Sequence, residues 1–465
     1  MNSMFSRWCF ALATCVCWGQ AVAPDVHRAL ESVQANTLKG HVSFLASDLL
    51  EGRDSPSRGL DVAAEYIAAE FRKAGLEPLG DDGYFQTMRW QMVSHGAAMH
   101  LHADSTPISS DAIRTNFLPV KAEGELIGSD APDVAGKIVR FELNSLTAFS
   151  NTLAAWQQTP PLAVIVLDEK DVFARFYKTE LLVDPERNRE SKVPVIVVHG
   201  AEAIKTLRQA KTARVEIAVL AESKALVRNV AGVVRGSHPE LSQTAIVVSA
   251  HYDHIGLTAQ ETGDRVFNGA NDNASGTAVL LDLARAFASM SVKPTRSIVF
   301  LAVAAEEKGV WGSEYYVRHP LWPLKDTVAN INFEMFGRTA DSEFSRANQT
   351  TMTGAGYSSV TDAVRTAAEA SGSRFFIHPQ GNDEFFERSD NLPFAKAGIP
   401  AHTVTPGFVF DDYHQPGDEW QKLDYSNMER AARTAGLSVY FIANDPVAPV
   451  WNSENEKARK FADAR

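Results

Sequence analysis

Three short apolar runs, each ending just before an imidazole or a carboxylate, organise the second half of this chain. They are Ala245–Ala250 before His251, Ser297–Ala304 before Glu306 and Glu307, and Val328–Phe333 before Glu334. Runs of this length without polar alternation read as strands covered on both faces, as in a parallel sheet. Between the first two lies a glycine-bearing polar loop, Asn268–Gly276, which leads into a helical pattern carried by Ala278, Leu280, Leu281, Leu283, Ala284 and Phe287. A further strand is expected over Ala401–Thr405. Strand–helix alternation from about Ala225 to Asn444 predicts an α/β fold with a mostly parallel, mixed sheet flanked by helices.

The first half reads differently. Leu38–Leu50 and Gly59–Gly75 carry helical periodicity, with Gly75 placed to stop the second, and a polar loop, Glu51–Gly59, separates them. From about 95 to 223, strand-like pieces (Lys137–Leu143, Ala163–Leu167, Val193–Val198) alternate with weaker helices. This stretch reads as an inserted α+β accessory domain. Its histidines, His95, His100, His102 and His199, lack carboxylate company and read as ordinary surface or core residues. The expected organisation is a catalytic domain formed by 24–94 and 224–445, the insert at 95–223, and a charged tail or surface helix at 446–465.

At 465 residues with 45% hydrophobic and 22% charged side chains, the composition is that of a soluble globular protein. The net charge of −12 makes nucleic acid a poor partner. No later segment approaches the roughly 18 unbroken apolar residues of a membrane span. Residues 1–23 have the form of an export signal: Arg7, the apolar stretch Trp8–Trp18 and the Ala21-Val22-Ala23 cleavage pattern. The lipobox-like Leu12-Ala13-Thr14-Cys15 offers lipid anchoring as a weaker reading, because Thr14 fits poorly before the modified cysteine. The protein is therefore expected in the periplasm or outside the cell. All three cysteines, Cys9, Cys15 and Cys17, fall in this segment, so a mature chain has neither thiolates nor disulfides. Any metal must then be held by His, Asp and Glu.

The strand-end residues meet that requirement. His251, Asp272, the Glu306–Glu307 pair, Glu334 and His414 amount to donors for two divalent ions plus one spare carboxylate as general base. Adjacent carboxylates after a very apolar strand are costly unless a cation neutralises them. Asp253 is placed to accept the other ring N–H of His251. Asp272 alone would pass for a helix cap, but one carboxylate can also bridge two ions. A buried Glu334–Arg338 pair is the competing account of Glu334. His254 reads as a packing or supporting residue. Tyr413, beside His414, is positioned to donate to a developing oxyanion. Phe385, Phe386 and Phe408 are candidates for an apolar substrate pocket, although each also fits ordinary core packing.

These motifs, His251-Tyr252-Asp253, Asn271-Asp272-Asn273-Ala274-Ser275-Gly276, Glu306-Glu307, Glu334-Met335 with Gly337-Arg338, and Tyr413-His414, resemble the dizinc aminopeptidase family of clan MH metallopeptidases. The resemblance covers roughly 24–94 and 224–445. It implies a zinc-peptidase/phosphorylase-like fold and two zinc ions per chain acting on peptide substrates. By motif, His251 and Glu334 would hold one zinc, Glu307 and His414 the other, with Asp272 bridging, Glu306 the general base and Asp253 orienting His251. Residues 95–223 resemble the protease-associated domain inserted in such enzymes, through Gly136-Lys137-Ile138-Val139 and Val193-Pro194-Val195-Ile196. Two positions depart from the family pattern: Glu334 stands where Asp is commoner, and Asn391 where relatives often carry His. A carboxypeptidase or dipeptidase would use the same metals with Arg388 or Arg338 gripping a substrate carboxylate. A single-zinc glutaminyl cyclase and a metal-free binding protein are the remaining alternatives, and the retained ligand residues weigh against both.

Overall fold

A computed structural model describes residues 23–94, 99–115, 119–156, 158–170, 172, 180–186, 193–257, 263–339, 347–408 and 410–464. The expected export signal, save Ala23, and His95 lie outside the described residues.

The three apolar runs form the strands Ala245–His251, Ser297–Val303 and Thr327–Phe333, and every residue in them is buried. Ala401–Thr405 joins them. Across the sheet the order is Ala401–Thr405, Thr327–Phe333, Ala245–His251, Ser297–Val303, and all three pairings are parallel. From the His251 strand the chain steps to one side, then crosses to the other. That reversal leaves a crevice at the carboxyl ends of the strands, where open α/β sheets hold their ligands. Parallel pairing dominates only at the centre of this ten-stranded sheet; Phe85–Ser94, Glu180–Val183, Ala221–Val234 and Gln349–Met352 join it through antiparallel pairs.

Both faces of the sheet are covered. Ala35–Leu45, Arg58–Ala74, Gly276–Ser289 and Tyr425–Asn444 pack on one side. Trp311–Arg318, Asn391–Lys396 and Glu456–Ala462 pack on the other. Gly75 ends its helix in the left-handed conformation (φ 78°), as its position in the sequence predicts. The C-terminal segment is docked: Phe461 is buried and stacks on Trp451, whose indole donates to the Gly398 carbonyl at 2.9 Å.

A second, eight-stranded sheet occupies residues 99–217, with helices Leu146–Ala155 and Ala201–Gln209 and apolar clusters of its own. Phe85–Ser94 and Ala221–Val234 run antiparallel for ten residue pairs and carry the chain to and from it. This segment also contributes to the first sheet. Glu180–Val183 pairs with Phe85–Ser94, and just beyond it Asp184 and Glu186 receive Arg318 and His319 from the helix that follows the glutamate pair.

Candidate metal centre

His251 closes its strand fully buried, and its two ring nitrogens face different groups. Nε2 lies 3.2 Å from Asp272 Oδ1 and 3.9 Å from Glu334 Oε1. Nδ1 lies 3.2 Å from the Asp253 carbonyl and 3.7 Å from its carboxylate. One nitrogen is thus aimed at the acidic cluster while the other is held by an acceptor two residues on, the arrangement that fixes a ligand's tautomer.

Asp272 is shared between two sets of donors. Its Oδ1 faces His251, while Oδ2 lies 3.0 Å from His414 Nε2. His414 Nε2 is also 3.2 Å from Glu307 Oε1. His251 with Glu334 therefore gathers on one side of a single carboxylate, and His414 with Glu307 on the other. His254 joins the second set: its Nδ1 is 2.8 Å from Glu307 Oε1 and 3.9 Å from Asp272 Oδ2. Its ligand-type atoms fall with those of Asp272, Glu307 and His414 in one compact group. The sequence placed His254 outside this cluster.

The Asn271–Ser275 loop is stitched down bond by bond. Asn273 accepts from the Gly276 and Met335 amides at 3.0 and 3.2 Å and donates to the Phe333 carbonyl at 2.8 Å. Asn271 accepts from the Gly337 amide at 2.7 Å, and Ser275 from Phe336 at 2.8 Å. These bonds tie the loop carrying Asp272 to the turn carrying Glu334. Asp418, fully buried, accepts the Asn271 and Asp272 amides at 3.0 Å. Burial raises Asp418 to about 6, against the pull of those amides. The sequence assigned no role to it.

Glu334 accepts from Ser389 and from Asn332. Arg338 instead pairs with Asp412 at 2.6 Å and lies over the Phe410 ring, which removes the Glu334–Arg338 pair as an account of this acid. Burial raises Glu334 to about 7, with the nearby imidazole of His251 opposing it. His414 moves the other way. Burial lowers it, yet Glu307 and Asp272 outweigh that and raise it to about 10. Burial also lifts Glu306 well above the usual carboxylate range; His251 pulls against this, while Glu307, Asp390 and Glu334 add to it. The Glu306 amide donates to Asp253 Oδ1 at 3.1 Å, so Asp253 links the His251 ring to the glutamate pair.

The second oxygen of Asp253 meets a part of the chain that the sequence left as a plain loop. Ser55 donates to Asp253 Oδ2 at 3.2 Å and accepts from the Ala305 amide at 3.1 Å. Asp54 pairs with Lys308 at 2.7 Å. Arg53 is wholly buried and donates to the carbonyls of Tyr252 (2.7 Å), Asn268 (2.8 Å), Gly269 (3.0 Å) and Leu45. Gly52 makes room for this: at φ 70°, a Cβ there would sit 2.5 Å from the Gly256 carbonyl oxygen. The only hint in the sequence is a glycine beside a charged residue in a loop.

Tyr413 stacks on His414 with ring centroids 3.9 Å apart, and burial beside Asp272 and Glu307 holds its phenol well above its ordinary range. Arg388 is exposed, over the Phe385 ring at 4.8 Å. Phe385 stacks on Phe408, whereas Phe386 is buried among Tyr357, His402 and Phe461 and belongs to the core. Asn391 is spent on the Phe386 carbonyl and Thr403.

The donor set fits divalent cations. Among the described residues, His414 Nε2, Glu307 Oε1 and both His254 nitrogens are buried without a hydrogen-bond partner. Buried polar atoms are seldom left so, and a cation among them would satisfy His414 Nε2, Glu307 Oε1 and the Nδ1 of His254. Imidazole and carboxylate together suit zinc better than calcium or magnesium. Such a centre, at the carboxyl ends of parallel strands around a shared aspartate, defines a metallohydrolase.

Residues 229–439 match the model of peptidase family M28. Aminopeptidase YwaD of Bacillus subtilis is 27% identical over 343 residues, covering 70% of this chain and 67% of its own. Two solved structures share the fold. The aminopeptidase from Aneurinibacillus sp. strain AM-1 has a TM-score of 0.61 at 20% identity, covering 91% of this chain and 98% of its own. A zinc aminopeptidase from Bacillus subtilis, BSAP, gives 0.61 at 22% identity, covering 89% and 96%.

Proposed function

We propose that this chain is a dizinc aminopeptidase that removes N-terminal residues from peptides. The observation that carries the proposal is the division of donors around Asp272, with His251 against one oxygen and Glu334 beyond that ring, and His414 against the other oxygen and Glu307. Zinc ions held there would lower the pKa of bound water toward about 7 and polarise the scissile carbonyl. Glu306 then serves as general base, taking a proton from water and later delivering it to the leaving amine. Asp253 serves two residues at once: it fixes the His251 ring and holds the Glu306 backbone. Tyr413 supplies a donor beside His414 for the oxyanion.

Charge favours the amino end of the substrate over the carboxyl end. Glu306, Glu334 and Asp390 form an acidic neighbourhood suited to an ammonium group. Of the arginines a carboxypeptidase would need, Arg338 is neutralised by Asp412 and Arg388 is exposed, lying over the Phe385 ring. Purified protein should carry two zincs, cleave N-terminally free peptides and leave acetylated ones intact. Chelation should abolish turnover and added zinc restore it. Cleavage of blocked but not free peptides would refute the aminopeptidase assignment.

We further place the mature protein in the periplasm or outside the cell, on the pattern of residues 1–23 and the confinement of every cysteine to them. Protein recovered from the exported fraction should begin near Pro24 by intact mass; full-length protein retained in the cytoplasm would overturn this. The sheet spanning 99–217 we assign to an inserted protease-associated domain.

A further inference from the structure

His254 is the one imidazole at the centre to which the reaction gives no task. It is fully buried, and its position is set from two sides. Its amide donates to the Arg53 carbonyl at 3.2 Å. Its ring lies against Gly269 in the loop that bears Asp272, where a Cβ would come within 2.5 Å of the ring carbon Cγ. The backbone thus leaves a ring-sized space for His254 next to the bridging carboxylate.

Within that space, His254 Nδ1 reaches Glu307 Oε1 at 2.8 Å and Asp272 Oδ2 at 3.9 Å. His414 Nε2 reaches the same two oxygens at 3.2 and 3.0 Å. The two rings approach edge to face, with centroids 5.5 Å apart. Two imidazoles converging on one pair of carboxylate oxygens surround a common point. A simple supporting role would have Nδ1–H donate to Glu307 and Nε2 find its own acceptor. Instead, among the described residues neither nitrogen makes an aligned hydrogen bond, and Glu307 Oε1 is equally unpartnered. A buried imidazole nitrogen without a partner is costly, and a shared cation removes that cost for Nδ1.

We propose that His254 is a fourth protein ligand of the second cation, beside Glu307, His414 and the Asp272 bridge. The inference rests on the two-cation reading above and divides its two positions. The His251 side has three protein donors and keeps an open coordination position, as catalytic zinc sites do. The His254 side has four and approaches the closed, tetrahedral set of structural sites. The two ions therefore differ in how tightly they are held, and the His251 side is where water and substrate enter the coordination sphere.

X-ray absorption of the fully loaded zinc protein counts the ligands directly. The expected result is three imidazoles distributed over two zincs. Two imidazoles over two zincs would overturn the role of His254 while leaving the dizinc reading intact; fewer than two zincs per chain would remove both. Chelator titration of the wild type should release the zincs in two separate steps. His254→Phe fills the same space without a donor, so the later step should move to about 10- to 100-fold lower chelator concentration. His254→Asn serves as the second variant should the ring substitution disturb folding. Release of both zincs in one step from wild-type protein would count against the proposal.

Discussion

Glu306→Gln is expected to retain both zincs yet lose about 10²- to 10⁴-fold in kcat, the span usually carried by a positioned general base. Glu306 and Glu307 are neighbours in sequence but not in the tasks proposed for them. Glu307 Oε1 faces His414 and His254, whereas the Glu306 side chain makes none of these close approaches to an imidazole nitrogen. Its backbone is fixed by Asp253, and burial among carboxylates raises its proton affinity. A carboxylate held beside zinc-polarised water is placed to take its proton. Glutamine preserves shape and removes only that capacity. Metal content and turnover measured on one preparation separate the roles: loss of zinc would make Glu306 a ligand, and full turnover would exclude it as the base.

Arg53→Met is expected to destabilise the fold by on the order of 3–5 kcal/mol, the cost of removing a buried charged partner, and to depress kcat/KM in whatever protein still folds. The guanidinium spans four carbonyls, from the first helical segment, the His251 turn and the Asn268–Gly269 turn. Burial lowers its pKa to about 10, with Asp253 and Asp418 holding it up, so it remains a cation at neutral pH. Its removal strands those carbonyls and deletes a positive charge facing Asp253, Asp418, Asp272 and Glu307. Arg53→Lys should recover the charge but only part of the stability, because an ammonium cannot reproduce the planar fork. Urea unfolding of the two variants decides the matter; an unchanged midpoint for the methionine variant would show that Arg53 fastens nothing.

The central strands were legible because both faces are buried, so their sequences are apolar throughout. Ala401–Thr405 was placed to the residue, and Ala163–Leu167 in the second sheet likewise. The ligand candidates were legible for a related reason: a charged residue abutting such a run has few structural excuses. The approach of His254 to Glu307 was not legible, because its neighbours in sequence give it no distinction and Glu307 lies on another strand's turn. Arg53, Ser55 and Asp418 escaped for the same reason, since each has partners 146 or more positions away. Glu180–Val183 was not foreseen in the central sheet, because nothing in a short apolar run names its pairing partner.

The loop at Arg53–Ser55 bears on how small an active fragment can be. Every proposed ligand falls within 229–439, so that stretch looks like a portable module. The bonds that aim His251, Asp253 and the glutamate pair nevertheless arrive from the far end of the polypeptide. Cut free, 229–439 would carry the ligands without the brace that sets their angles. The working unit is therefore discontinuous, closed across the insert by three consecutive residues near its beginning.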